Sequence, residues 1–124
     1  MKVRRFTLPM TVDASGAGTF YTPPVYGEII SFRYVKENFV DGIDFVCTME
    51  KSGETLWAED SVNVSATRYP RAATQSTTGA ASLYAAGGTD VNDRICIAGE
   101  RIKVVVDGAG NATSGTLHVT INGS

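Results

Sequence analysis

Acidic residues and a single histidine are the side chains of this chain that could perform acid–base chemistry. The acids form three pairs, namely Asp41 with Asp44, Glu59 with Asp60, and Asp90 with Asp93. Two carboxyl groups that face each other across a cleft can hydrolyse a glycosidic bond, but each pair here lies among Gly, Asn or Ser, where acids make local hydrogen bonds. His118 is the only histidine, so a Ser or Cys hydrolase would lack its usual general base. These residues therefore predict no catalytic site and no enzyme.

Metal and cofactor sites have equally weak support in the sequence. The segment from Asp90 to Asp93 offers oxygen ligands, but it has fewer acids than a dedicated calcium loop. A zinc site built on Cys47 and Cys96 would need more Cys or His ligands than His118 alone. Both cysteines sit in apolar, strand-like runs, so we expect two buried, unpaired thiols. No metal and no cofactor are predicted.

Length and charge restrict the classes of protein further. The 124 residues predict one domain, residues 1–124, and the net charge of -2 argues against a dedicated nucleic-acid binder, which usually carries a basic stripe. No stretch approaches the roughly 20 apolar residues that span a bilayer. The first ten residues are charged and contain Pro9, unlike a signal peptide. We expect synthesis in a cytoplasm, with no nucleic-acid and no membrane partner.

The elements that position these side chains are predicted to be strands. In residues 102–106 and 117–121, every second residue is apolar, on either side of a turn rich in Gly, Asn and Ser, which is typical of an antiparallel hairpin with one buried face. Residues 28–36 show the same period, with Ile30, Phe32 and Tyr34 on one face. About eight short strand-like runs along the chain predict an all-β fold, an antiparallel β-sandwich resembling a jelly roll with a long central excursion. Trp57 is expected to anchor the core.

A long central segment, residues 65–93, interrupts the strand pattern. This segment, which we name the excursion, is rich in Ala, Ser, Thr and Gly, and Tyr69, Leu83 and Tyr84 are its few large side chains. Such long loops inside a compact domain are generally functional or disordered. Two interpretations remain open, namely an ordered segment that packs on a neighbouring subunit and an exposed mobile loop.

Six stretches of the chain carry a resemblance to a known group of proteins. They are Arg5–Thr19, Gly27–Lys36, Phe39–Phe45, Leu56–Trp57, Tyr69–Arg71 and Glu100–Val106. In this order they resemble small proteins encoded among the head genes of tailed bacteriophages, which are virion structural proteins. The resemblance implies a non-enzymatic β-sandwich that is installed in many symmetry-related copies on a phage particle.

The resemblance leads to a functional expectation for this chain. We expect a capsid decoration protein on the virion surface that binds the major capsid protein and copies of itself, as a trimer at local three-fold sites. The residues expected at these contacts are Arg4, Arg5, Arg68, Tyr69, Arg71 and Tyr84. A position at the head–tail junction or in the tail is the alternative within the same class.

A carbohydrate-binding module on the same sandwich is the alternative from another class. Such modules display flat aromatic rings on an exposed sheet face or loop. The candidate rings are Tyr21, Tyr26, Tyr69 and Tyr84, with Trp57 in reserve. Coplanar, exposed rings among these would favour this second class.

Overall fold

The computed structural model describes residues 2–80, 82–83, 85–89 and 91–123. Ten strands follow one another along the chain: β1 (Val3–Thr11), β2 (Gly18–Tyr21), β3 (Val25–Lys36), β4 (Ile43–Met49), β5 (Thr55–Val62), β6 (Ala66–Arg68), β7 (Arg71–Ala73), β8 (Asn92–Glu100), β9 (Ile102–Asp107) and β10 (Ser114–Asn122). Within these described ranges no residue is helical, and hence there is no helix there that is long and apolar enough to cross a membrane. The protein is all-β, as predicted, with ten strands instead of eight.

The strands form two antiparallel sheets. Sheet A has the order β1-β10-β3-β8-β7, and β6 also pairs with β3; sheet B has the order β2-β9-β4-β5. Because β8 pairs with residues 25–29 of β3 and β6 with residues 32–34, β6 and β8 follow each other along the same side of β3. Apolar residues of both sheets form one core cluster, so the architecture is sandwich-like.

The alternating apolar residues predicted to face inward do form this core. Residues 102, 104 and 106 of β9 and residues 117, 119 and 121 of β10 are completely buried. In β4 the buried positions are 43, 45, 47 and 49, which again alternate. A two-residue period is sufficient to place these side chains because successive residues of a strand point to opposite faces.

The predicted inward face of β3 is wrong at one residue, because Ile29 and not Ile30 enters the core. Along β10, Thr120 pairs with Ser31, and the next residue, Ile121, pairs with Ile29. Ile30 is therefore an extra residue in its strand, a β-bulge, which reverses the alternation of side chains. The period of the sequence does not reveal such a bulge because it depends on the partner strand.

Aromatic rings from both sheets meet at the centre of the core. The Phe45 ring stacks on Trp57 and contacts the Tyr34 ring edge-on, with 4.8 Å between centroids in both pairs. Trp57 is only 8% exposed, which confirms it as a core anchor. Phe39 lies between β3 and β4, outside both strands, yet it is buried and stacks on Tyr34.

The excursion is not structureless, and this accounts for the two additional strands. β6 and β7 lie inside it, and they pair with β3 and β8 of the same chain. The first half of the excursion therefore belongs to sheet A. Residues 66–68 and 71–73 are thus strands and not a loop, because their backbone groups pair within the sheet.

The expectation of two buried thiols is correct for Cys47 and wrong for Cys96, which is exposed. Ile95 and Ile97, on either side of Cys96 in β8, are buried. The alternation of β8 turns Cys96 to the outer face of sheet A. Both cysteines are unpaired.

Candidate interaction surface

The described part of the chain offers its chemistry on surfaces. It encloses no cavity, and it holds no group of three His, Cys, Asp or Glu side chains arranged to bind a metal ion. A candidate site must therefore be sought among exposed side chains, open strand edges and projecting segments.

In neither of the first two acidic pairs do the carboxyl groups face each other across a cleft. Asp41 follows β3 and pairs with Lys36, with 2.5 Å between Oδ1 and Nζ. Asp44 lies within β4, and its Oδ1 accepts the N–H of Ser61 at 3.0 Å. The third pair is not described completely because Asp90 lies outside the described residues. These acids make structural contacts.

Glu59 and Arg68 connect the two sheets at one side of the sandwich. Glu59 lies in β5 of sheet B, and Arg68 lies in β6 of sheet A. The guanidinium donates to both carboxylate oxygens, Nε to Oε1 at 2.7 Å and Nη2 to Oε2 at 2.9 Å, and Trp57 Nε1 donates to Oε1 at 3.1 Å. These hydrogen bonds, led by those from Arg68, lower the pKa of Glu59 to about 2. Arg68 was predicted to contact a partner, and here it is engaged within the chain.

Arg71 is also occupied within the chain, although it stays exposed. Its Nη1 donates to the backbone carbonyl of Ile30 at 3.1 Å and to that of Pro70 at 2.7 Å. Its guanidinium lies 5.8 Å from the ring centroid of Tyr69, which is 62% exposed. The bulge at Ile30 lies between the stretches of β3 that pair with β8 and with β6, and Arg71 satisfies the carbonyl there. Tyr69 is thus held on the surface beside a cation.

Arg4 and Arg5 lie in β1, the edge strand of sheet A. Both are exposed, but as neighbours in a strand they point to opposite faces. Arg4 pairs with Ile121 and lies on the face directed toward sheet B, whereas Arg5 pairs with Thr120 on the outer face. The sequence therefore located both residues correctly at the surface but could not show that they belong to different faces.

A row of polar side chains crosses the outer face of sheet A. In direct register, Thr7 lies opposite His118, His118 opposite Arg33, and Arg33 opposite Thr67. Thr7 Oγ1 and His118 Nδ1 are 3.1 Å apart, and Arg33 Nη1 donates to Thr67 Oγ1 at 3.2 Å. We define this row together with Arg5 as the basic face. Arg33 was not predicted as a contact residue from the sequence. Its position between Phe32 and Tyr34, which are both buried, nevertheless indicates that its side chain faces outward.

The distribution of unpaired cations makes sheet A distinctive. Four of the eleven Lys and Arg residues form ion pairs among the described residues: Lys36, Arg68, Arg94 and Arg101. The cations without such a pair in those ranges are Lys2, Arg4, Arg5, Arg33, Lys51, Arg71 and Lys103. Five of these lie on sheet A or directly before β1. A protein with a net charge of -2 thus concentrates its free positive charge on one sheet, which favours contact with an acidic surface.

The second half of the excursion projects from the edge of sheet A. We name residues 74–91 the arm. At its base, the Thr74 N–H donates to the Val91 carbonyl at 2.7 Å, and the Val91 N–H donates to the Ser82 carbonyl at 2.9 Å. Its residues 75–80 and 85–89 are all exposed. Tyr84, which was predicted as a contact residue, lies outside the described residues. The arm is held at its base and leaves most of its length accessible.

The aromatic rings proposed for carbohydrate binding do not form a platform in the described part of the chain. Tyr21, Tyr26 and Tyr69 are exposed, but they lie in β2, in β3 and after β6, and the Tyr21 ring is covered by the Arg101 guanidinium at 4.2 Å. Every ring–ring contact found there belongs to the core. No observation favours this class of function.

Comparisons with known proteins add no relative. No protein-family model matches the chain, and no curated protein matches it significantly. The likeness to phage head proteins consequently rests on the six sequence stretches described above.

Proposed function

We propose that this protein is a non-enzymatic structural component of a phage virion, in the role of a capsid decoration protein that binds the lattice of the major capsid protein. The observation that carries the proposal is the segregation of free positive charge on sheet A. The four exposed cations Arg4, Arg5, Arg33 and Arg71 lie on this sheet, and none has a carboxylate within ion-pair distance among the described residues. An acidic outer surface of a capsid subunit would complement this charge.

The strand order supports a jelly roll as the specific form of the sandwich. If the two short strands inside the excursion are set aside, the eight remaining strands form two four-stranded sheets in the orders β1-β10-β3-β8 and β2-β9-β4-β5. The first strand then lies beside the last, and each sheet combines strands from both halves of the chain. This is the order that results when two Greek keys wrap around one core. Jelly rolls are frequent in capsid proteins, and the fold alone does not define a function.

The arm is the second element of the proposed contact. It is rich in small side chains, which allow close approach of a neighbouring backbone, and it is exposed over most of its length. In a decoration trimer at a local three-fold site, the arm would contact a neighbouring copy or the capsid subunit below. We therefore expect protease cuts between residues 75 and 89 in the free protein and protection of the same bonds on the capsid. Equal resistance in both states would remove the arm from the contact.

Mass spectrometry of purified phage heads tests the proposal directly. A decoration protein is expected at a copy number comparable with that of the major capsid protein. Charge reversal of Arg33 to Glu should reduce binding to capsids that lack the chain, whereas the same change at Lys103, an unpaired cation on sheet B, should not. A few copies per particle would move the protein to the head–tail junction or the tail, and absence from particles would refute a virion role.

A further inference from the structure

The backbone of β1 has one fully paired side and one open side. At the two ends of its pairing with β10, the Lys2 carbonyl accepts the Gly123 N–H at 2.6 Å, and the Val12 N–H donates to the Thr113 carbonyl at 3.0 Å. Even-numbered residues therefore direct their backbone groups toward β10. Because these groups alternate along a strand, the odd-numbered residues 3–11 direct theirs toward the open edge. The side chains of these odd residues lie on the outer face of sheet A, and every odd residue from 3 to 11 is exposed.

Pro9 divides this open edge into two parts. Pro9 occupies an odd position, whose backbone does not bond to β10, so the lack of an N–H costs no hydrogen bond there, as expected for proline in an edge strand. The edge therefore offers consecutive donors only at Val3, Arg5 and Thr7. This half of β1 is also the positively charged half, since residues 2–12 contain Lys2, Arg4 and Arg5 and no acid.

The two faces beside this half of β1 differ in chemistry. Toward sheet B lie the exposed Arg4 and the side chains of Phe6 and Leu8, which pack against the core but remain partly exposed because β1 is the last strand of sheet A. On the outer face lie Arg5 and Thr7 of the basic face. A strand added at this edge would therefore meet positive charge on both faces, from Arg4 and from Arg5, but apolar surface only on the face toward sheet B.

We propose that the Val3–Thr7 edge of β1 accepts an extended protein segment in which acidic and apolar residues alternate, and that it adds this segment to sheet A as a further strand. The apolar side chains of the segment cover Phe6 and Leu8, and its carboxylates face Arg5 on the outer side. Strand addition obtains affinity from main-chain hydrogen bonds and specificity from alternate side chains. A nucleic acid would match the charge but could neither extend the ladder nor cover the two apolar side chains. Only the source of the segment, a capsid subunit, rests on the proposed function.

The test uses two short synthetic peptides, one that alternates Glu with Val and one that alternates Lys with Val. Amide hydrogen exchange of the full chain is followed by NMR. The Glu–Val peptide should protect the amides of Val3, Arg5 and Thr7 and leave that of Phe6 unchanged, because the latter is already bonded to β10. The Lys–Val peptide should give no protection. Equal protection by both peptides, or none by either, would overturn the proposal.

A pair of variants at one position tests the role of the edge donor. Thr7→Val and Thr7→Pro both remove the hydroxyl that contacts His118, but only Thr7→Pro removes the N–H that faces the open edge. Thr7→Pro should weaken binding of the Glu–Val peptide by about five- to tenfold relative to Thr7→Val, the loss expected for one hydrogen bond. Equal affinities for the two variants would show that β1 does not accept a strand.

Two further outcomes would also overturn the proposal, and neither requires a capsid. Stronger binding of single-stranded DNA than of the Glu–Val peptide would assign the positive charge to nucleic acid. Protection of the same three amides on concentrating the protein alone would make a second copy the occupant. If the peptide binds as expected but phage heads lack the protein, the edge site stands and the virion role fails.

Discussion

Replacement of Glu59 by Gln tests whether the ion pair between the sheets stabilises the fold through charge. Gln keeps the oxygen that accepts the Trp57 N–H, but it loses the negative charge that pairs with Arg68. Arg68, first among the causes, lowers the pKa of Glu59 from 4.5 to about 2. For a fully buried group this difference would correspond to about 3 kcal/mol. Because 34% of the Glu59 side chain is exposed, solvent screening reduces the expected contribution to about 1 kcal/mol.

The contribution of Glu59 has a definite dependence on pH. The folded protein holds the pKa of Glu59 below its unfolded value, so the stabilisation is complete above about pH 4.5 and is lost as the pH falls through about 2. Urea unfolding of wild type and Glu59→Gln at a series of pH values should show a difference of about 1 kcal/mol at neutral pH, or roughly 0.5 M in midpoint. Below about pH 2 the two proteins should be equally stable.

Two further variants define the origin of the effect. Asp60→Asn changes the neighbouring carboxylate, which is exposed and has no hydrogen-bond or ion-pair partner among the described residues, and it should leave stability unchanged. In Arg68→Ala, the additional change Glu59→Gln should cost almost nothing, because the partner charge is already gone. A difference between wild type and Glu59→Gln that stays constant from neutral pH to pH 2 would refute the electrostatic explanation.

Three further predictions concern the core, the backbone and the thiols. Gly27→Ala should unfold the protein or destabilise it by more than about 4 kcal/mol in urea titrations, because φ is +118° and a Cβ would lie 2.2 Å from the carbonyl oxygen of Asn122 in β10. The control Gly53→Ala, at φ +76° with open space around it, should lower the unfolding free energy by only about 1 kcal/mol. Tyr34→Phe should not reduce the unfolding free energy, since the buried hydroxyl has no hydrogen-bond partner and burial raises its pKa to about 12; a loss above about 1 kcal/mol would reveal a hidden partner. A thiol reagent should label the exposed Cys96 of the native protein and spare Cys47, whose pKa is raised by burial. If mass spectrometry showed that both cysteines are labelled at equal rates, the fold would be contradicted.

The sequence by itself determined eight of the ten strands and most of the residues that enter the core. Alternation of apolar residues is a local property, and it correctly placed the inward residues of β9 and β10. Trp57 could be recognised as a core residue because a large aromatic ring in a strand contributes most to stability when it is buried. Small side chains and glycine likewise marked the excursion as a segment of different character.

Only the tertiary structure decided which strands become neighbours, and the candidate site depends on that choice. Arg68 looked free in the sequence, but the return of the chain through β6 brings it to Glu59 of the other sheet. Arg33 joins Thr7 and His118 because β10 lies between β1 and β3. The bulge at Ile30 and the burial of Phe39 arise in the same way. Pairings between residues so far apart in the chain are selected by packing of the whole fold, and no local pattern of residues encodes them.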